Sequence, residues 1–378
     1  MATPYVRRPD DLGIVVLYNE NTALTHGEPQ DLRAVRGVIA CAASVAEALE
    51  GLGRRVVLAP IHTDMEDALA PYPPTEWLVF NLGEGESGHL FEEARIVWAL
   101  EAMGYLHTGA GGEALARSTN KALAKACLAW AGIPTPPWRL YRHPDEVAPE
   151  DLPFPLFVKP VAEDASQGIG EEAIVHDVEG LRRRVAYITS RYRQAALAEA
   201  FIAGREFNVS LWGRAPEVLP LAEVDFSRIA SPYARIVSFA AKWEEDSFEY
   251  RNTPVRCPAE VDSILAERIR DVARRAWAAI GCRGYARVDM RVSADGTPYV
   301  LEVNCNPDIS PDAGFFRAAR AAGYSYPEMV RHILQLAWED IEEGRPFLAG
   351  CAFSTCPIAV GAQLPWAPTT LPPWGTQT

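Results

Sequence analysis

The sequence predicts a mixed α/β protein of three units, the first built on a parallel sheet. Strand-length apolar runs alternate with helix-period segments over residues 12–116, the pattern of a parallel sheet with crossover helices. A polar, glycine-containing loop at residues 161–172 and a long irregular stretch at 227–257 interrupt the later strands, and long connections of that kind are functional or mobile. Near the C-terminus, Asp295-Gly296 separates two strand runs, a strong hairpin signal.

Each element follows from its local pattern. "LGIVVLY" at 12–18 is a strand, and "AVRGVIACAASVAEALEGLG" at 34–53 is a helix ending on glycines. "RRVVLAP" and "EWLVFNL" are two more short apolar strands, and "HLFEEARIVWALEAMG" is a second helix closed by Gly104. A new helix, "STNKALAKACLAWAG", has Ser118 or Thr119 as N-cap and Gly132 just past its end. "IPTPPW" breaks it; then come the strand "FPLFVKP", a helix near "VEGLRRRVAYITSRY" and the strand "AALAEAFI". "REFNVSLWG" and "PEVLPLAEVDF" read as strands, and "AEVDSILAERIRDVARRAWAAIG" as an amphipathic helix. Two strands, "YARVDMRV" and "PYVLEVNC", follow. The expected units are residues 1–117, 118–203 and 204–343, with a Pro-rich, poorly patterned tail at 344–378 that reads as a flexible appendage.

Bulk composition narrows the function. The net charge of −14, from 36 basic and 50 acidic residues, argues against nucleic acid as the main partner, because phosphate backbones need a basic face. No apolar run reaches membrane-spanning length, and the N-terminus lacks a signal-peptide core, so a cytoplasmic setting is expected. The 7 cysteines are scattered without zinc spacing, which fits reduced thiols; Cys351 and Cys356 are the one close pair. Only Lys121, Lys125, Lys159 and Lys242 are lysines, every other basic residue being Arg. A chain so poor in Lys keeps it where a compact ammonium does what Arg does badly, as on a phosphate.

The hairpin carries the sharpest chemistry. With a two-residue turn at Asp295-Gly296, Ala294 faces Thr297, Asp289 falls opposite Glu302, and Arg287 opposite Asn304. A strand period of two puts these four side chains on one face. Val288, Met290, Leu301 and Val303 then fill the other, core-facing side. Two carboxylates directly across a ladder repel. Either Mg²⁺ or Mn²⁺, which suit an all-oxygen set, turns that repulsion into coordination, or the face is solvated and Arg287 neutralises one acid.

"GYARVDMRVSADGTPYVLEVNCNP" resembles the metal-binding region of ATP-grasp enzymes, and of the D-alanine–D-alanine ligase family in particular. The resemblance runs over residues 79–337. "VFNLGEGESG" is similar to that family's first glycine loop, "STNKALAKACLAWAGIPTP" to its first phosphate-lysine helix, "PLFVKPVAEDASQGI" to its second lysine strand and phosphate loop, and "ALAEAFIAGREFNVS" to its adenine hinge. The resemblance implies a three-domain ATP-grasp architecture and an ATP-dependent carboxylate–amine ligase that forms a dipeptide or amino-acid conjugate through an acyl phosphate. It implies ATP contacts for Lys121, Lys159, Lys242, Glu199, Phe201, Ile202 and the ribose acid Glu206. It implies metal ligation by Asp289, Glu302 and Asn304, charge stabilisation by Arg287 and Lys242, and a phosphate-covering loop, Asp164 to Gly168, containing Ser166. Small-molecule carboxylate and amine substrates and a homodimer are also implied. Lys125 matches no family role.

Departures cluster at the amino-acid pocket. The family's N-terminal glycine-serine-glutamate motif is not visible; Glu20 and Glu28 are weak substitutes. Gly83-Glu84 replaces a histidine-glycine pair, Ala165 a serine, Pro307-Asp308 a proline-glycine and Ala313 a later serine. Glu84, Asp308 and Asp312 are therefore candidate substrate residues for an amine or guanidine, although Ser310-Pro311-Asp312 also reads as the start of the next helix. D-Alanine–D-alanine ligase itself and a nucleotide-binding protein without ligase activity are the alternatives. Asn306 reads as the residue that ends the strand, and Cys305 as an inert core thiol.

Overall fold

The computed structural model describes residues 11–20, 23–62, 64–85, 90–148 and 153–342; the tail, with Cys351 and Cys356, lies outside them. The first unit runs β1 (Gly13–Asn19), α1 (Leu32–Gly51), β2 (Val56–Ile61), α2 (Met65–Leu69), β3 (Trp77–Leu82) and α3 (Glu92–Ala102). Its three strands form a parallel sheet in the order β2-β1-β3. Alternation sorts β1 onto two cores: Ile14, Val16 and Tyr18 meet α1, while Val15 and Leu17 pack with residues of α2 and α3. All seven residues of β1 are buried, which explains its unbroken apolar run.

Next come α4 (Gly112–Thr119), α5 (Lys121–Trp130), β4 (Trp138–Tyr141), β5 (Leu156–Pro160), β6 (Ile174–Val175), α6 (Val178–Arg191) and β7 (Ala196–Ala200). The strands make an antiparallel sheet, β4-β7-β5-β6, backed by α6 through Leu181, Val185 and Ile188. The lysine helix starts later than the sequence suggests. Ser118 and Thr119 close α4, and Asn120 caps α5, its Oδ1 accepting the N–H groups of Ala122 and Leu123 at 3.1 Å each. An Asn side chain reaches those orphan N–H groups as well as a hydroxyl does.

The third sheet holds β8 (Arg205–Trp212), β9 (Glu217–Val218), β10 (Ala222–Val224), β11 (Val255–Arg256), β12 (Tyr285–Val292) and β13 (Pro298–Asn304), ordered β11-β10-β8-β12-β13 with β9 on β8. "PEVLPLAEVDF" is thus two short strands split around Pro220, which cannot donate to a ladder. Residues 227–257 are less irregular than expected: α7 (Phe239–Trp243) and α8 (Phe248–Asn252) lie within them, capped by Ser238 and Ser247. The helix α9 (Ser263–Ile280) covers the sheet's apolar face together with Ala124 and Leu128 of α5. The closing helices α10 (Gly314–Ala321) and α11 (Tyr326–Glu342) return to the first sheet, where Phe315, Met329, Val330 and Ile333 join the core of α1.

The β12–β13 hairpin reaches the expected pairing by an unexpected route. Its loop has three residues, because Ser293 N–H bonds the Thr297 carbonyl at 3.0 Å and Gly296 N–H the Ser293 carbonyl at 2.9 Å. Gly296 takes φ +79°, the left-handed position such a loop reserves for glycine. Ladder pairing there is Val292 with Pro298, one step from the two-residue-turn register. A bulge between Asp289 and Met290 shifts it back, so that Asp289 pairs Glu302 and Arg287 pairs Asn304. Val300, fully buried, therefore takes the core position expected of Leu301, and Leu301 faces the cleft instead.

Candidate active site

A cleft of about 770 Å³ opens between the second and third sheets. Lys121, as the first residue of α5, enters it buried, its Nζ 3.8 Å from Glu302 Oε2 and donating to the Glu163 carbonyl. Lys159 enters from β5, 3.0 Å from Glu199 Oε1. Glu199 Oε2 lies 2.6 Å from Lys125 Nζ, which also donates to Thr135 Oγ1 at 2.8 Å. Lys125 is therefore no ordinary helix-face residue: at 1% exposure it forms one end of a buried Lys–Glu–Lys relay. Burial opposes its charge and lowers its pKa despite Glu199. Burial also opposes the charge of Lys159, yet Glu199 and Glu302 outweigh it and raise its pKa. Sequence reading missed this role because helical period alone does not say which flank of α5 faces β7.

Past β7, the Phe201 N–H donates to the Pro155 carbonyl at 3.1 Å. Arg291, unforeseen in the sequence, knits this corner together. Its guanidinium carbon lies 4.9 Å from the Phe201 ring centre, Nη1 donates to the Ile202 carbonyl at 3.1 Å, and Nε and Nη2 donate to Glu206 Oε2 at 2.9 and 2.8 Å. The period of two through Arg287 and Asp289 was the signal that would have found it. Burial pushes the Glu206 carboxyl up, and Arg291 counteracts this.

Opposite stand the hairpin acids. Arg287 clamps both oxygens of Asp289 at 2.8 Å, and Asn208 Nδ2 donates to Asp289 Oδ1 at 2.8 Å. Among the described residues, Glu302 accepts no such clamp. Burial alone would raise its pKa, but Lys121, Lys159, Arg287 and Lys242 hold it well below the usual carboxylate range. Asn304 Oδ1 accepts the Asn306 N–H at 2.9 Å, ending β13 there, and Asn306 Nδ2 donates to the Gly83 carbonyl at 3.2 Å. Among the described residues no three acid, His or Cys side chains converge as a metal group; the hairpin's donor set is two carboxylates and an amide, all oxygen, which fits a hard divalent cation.

Two loops close the cleft's mouth on each other. Ala165 and Ser166 take φ +49° and +63°. Ser166 Oγ donates to the Val237 carbonyl at 2.8 Å, Trp243 Nε1 to the Ala165 carbonyl at 2.9 Å, and Phe239 N–H to the Ile169 carbonyl at 2.8 Å. This carries Lys242, on α7, into the cleft.

Comparison with known proteins now decides the family. The family described as D-ala D-ala ligase C-terminus matches residues 127–335. A D-alanine–D-alanine ligase of Desulforudis audaxviator is 34% identical over 306 residues, 78% of this chain and 92% of that protein. The chain belongs to the D-alanine–D-alanine ligase family. The ligase of Moorella thermoacetica is 30% identical over 84% of this chain and 99% of its own length. The uncharacterized protein y4sG of Sinorhizobium fredii is 34% identical over 78% of this chain and 86% of its own. The crystal structure of the Bacillus anthracis D-alanine–D-alanine ligase complexed with ATP shares the fold, with TM-score 0.65 at 22% identity over 88% of this chain and 99% of that one. As a member of the D-alanine–D-alanine ligase family, the protein is an ATP-dependent ligase that forms an amide bond.

Within this D-alanine–D-alanine ligase-family chain, the departures gather in a second cavity of about 110 Å³ that adjoins the cleft and contains Glu84 and Asp308. Glu93, in the first turn of α3, lines it too and was missed, because an acid in a first helical turn reads as a dipole partner. Asp308 is exposed and spends Oδ1 on the Ser310 N–H at 2.9 Å. Asp312 does not sit inside a helix N-terminus, since α10 starts at Gly314 with Ala313 as its cap; it reaches the edge of the larger cleft. Glu28 is tied to Arg191 and Tyr187 at 3.0 Å each, and Glu20 lies 3.7 Å from His62; neither lines the two cavities. Cys305 is buried as expected, its Sγ 3.3 Å from that of Cys282.

Proposed function

We propose that the protein activates a small carboxylate as an acyl phosphate in the larger cleft and passes the acyl group to an amine. The observation that supports this most is the facing of Asp289 and Glu302 across the hairpin, with Lys121 3.8 Å from Glu302 and Arg287 beside both acids. On this reading Phe201, Ile202 and Glu206 hold the nucleoside, while Lys121, Lys159, Lys242 and the Ser166 loop hold the phosphates. Asp289, Glu302 and Asn304 would hold Mg²⁺ or Mn²⁺, which when bound neutralises phosphate charge. Glu199 acts through its two lysines. Arg287 steadies charge on the reacting carboxylate as it takes up the terminal phosphoryl group, and the incoming amine then displaces phosphate. No protein nucleophile is needed; positioning and charge supply the rate.

The units at 1–117, 118–203 and 204–343 are part of this reading, the last two enclosing the nucleotide. A homodimer and a cytoplasmic setting are inferred with it; no described helix is long and apolar enough to cross a membrane. The identity to curated D-alanine–D-alanine ligases favours D-alanine as the second reading. ADP release screened over amino acids, with mass detection of product, tests both. Turnover with D-alanine alone supports the cell-wall reading, and saturable ATP binding without turnover for any acceptor overturns ligation.

A further inference from the structure

The smaller cavity shares Lys242, Arg287, Glu302 and Asp308 with the larger cleft, so it opens directly onto the reacting end. Acids dominate its wall. Glu84, Glu93, Glu163, Asp164 and Asp308 line it, against the two cations Lys242 and Arg287, and Arg287 is already committed to Asp289.

The backbone aims Glu84 firmly. The N–H groups of Glu84 and Gly85 both donate to Asn19 Oδ1, at 2.9 and 3.0 Å. Gly85 follows at φ +77°, where an added Cβ would meet Glu92 at 2.4 Å. Yet among the described hydrogen bonds and ion pairs none reaches the carboxylate of Glu84 or of Glu93. Burial first, then neighbouring acids, pushes both carboxyls well up.

A second, independent observation points to a ligand. Gln167, only 5% exposed, lines the same cavity, and its side-chain amide has no partner among the described residues. The little of Gln167 that is exposed faces this cavity, so its amide, with two donors and an acceptor carbonyl, stands open to a polar guest. A neutral amino acid brings a carboxylate into a wall of acids. A cation brings the complement.

We propose that this cavity receives the ammonium or guanidinium of a basic amino acid or diamine, held between Glu84 and Glu93, so that the enzyme prefers a cationic substrate to alanine. The proposal rests on the ligase reading of the adjoining cleft. The volume of about 110 Å³ suits a charged head group, with the reacting end of the molecule lying toward Arg287 and Glu302.

The test uses the full chain with ATP and Mg²⁺, reading ADP release with D-alanine, L-alanine, lysine, ornithine and arginine, and with agmatine as the accepting amine beside D-alanine. A basic compound should exceed D-alanine in kcat/KM by about tenfold or more, the worth of one charge-assisted contact. Glu84→Gln and Glu93→Gln should each raise KM for it by about tenfold with the KM for ATP unmoved. Better turnover with D-alanine, or Gln variants that leave KM for the basic substrate unchanged, overturns the cationic pocket and leaves the ligase reading intact. If nothing is turned over, calorimetry with agmatine, ADP and Mg²⁺ decides. Saturable binding that Glu84→Gln abolishes keeps the pocket and overturns ligation, and no binding overturns the pocket.

Discussion

Arg287 grips Asp289 with two parallel 2.8 Å hydrogen bonds, two residues along one strand. The fork matches both carboxylate oxygens at once, a geometry a lysine ammonium cannot copy. Burial opposes the charge of Arg287, but Asp289, Glu302 and Asp308 raise its pKa. Arg287→Lys should keep the charge, lose the fork and drop kcat by about 100-fold, the scale of one lost charge-stabilising group. Steady-state ADP release checks this; wild-type kcat in the variant would remove Arg287 from the mechanism.

The buried relay predicts an order of effects. Glu199 serves Lys125 and Lys159, so Glu199→Gln leaves two buried ammoniums without their shared counter-ion, whereas Lys125→Met leaves a balanced pair. Breaking a buried pair on one side costs about 3–5 kcal/mol. Glu199→Gln should therefore lower the melting temperature by more than Lys125→Met. The reverse order in thermal unfolding would show that the relay is not the stabilising unit.

Gly204 immediately precedes β8, and a Cβ there would fall 1.9 Å from the Val292 carbonyl oxygen. Backbone must move to admit it, and Glu206 lies two residues on. Gly204→Ala should destabilise the fold by about 1–3 kcal/mol and raise the KM for ATP. Unchanged melting and ATP affinity would contradict the close approach.

Glu163 predicts a pH dependence. Burial first, then Asp164, pushes its carboxyl from the ordinary 4.5 up to about 7, with Gln194 Nε2 donating to Oε1 at 2.5 Å. Between those values the folded state binds more protons than the unfolded state, so stability falls as pH rises from about 4.5 to about 7. The contribution is fully present below 4.5 and lost above 7. Glu163→Gln should flatten that slope in urea unfolding across the window; an equal slope in both proteins would refute the assignment.

The hairpin shows both the reach of local pattern and its limit. Strand alternation put Arg287, Asp289, Glu302 and Asn304 on one face, and they are there. An even ladder would close on a two-residue turn; the protein instead combines a three-residue loop with a one-residue bulge. The two displacements cancel at Asp289 and leave their mark on the stretch between, from Pro298 to Leu301. Arg291 was within reach of the same alternation. Lys125, Glu93 and Gln167 were not, because their meaning depends on elements far along the chain.

By itself the sequence determined the alternation of strand and helix, the sparse lysines and the two facing acids, all of which follow from backbone periodicity and side-chain chemistry within a few residues. Tertiary structure decided which charges meet. Folding of α5 between the second and third sheets buries Lys125 on Glu199 of β7, and the tie from Asn306 to Gly83 brings the end of β13 to the loop of Glu84. Those contacts join residues 74 and 223 positions apart, and only packing, which removes water and brings unpaired charges into range, fixes their partners.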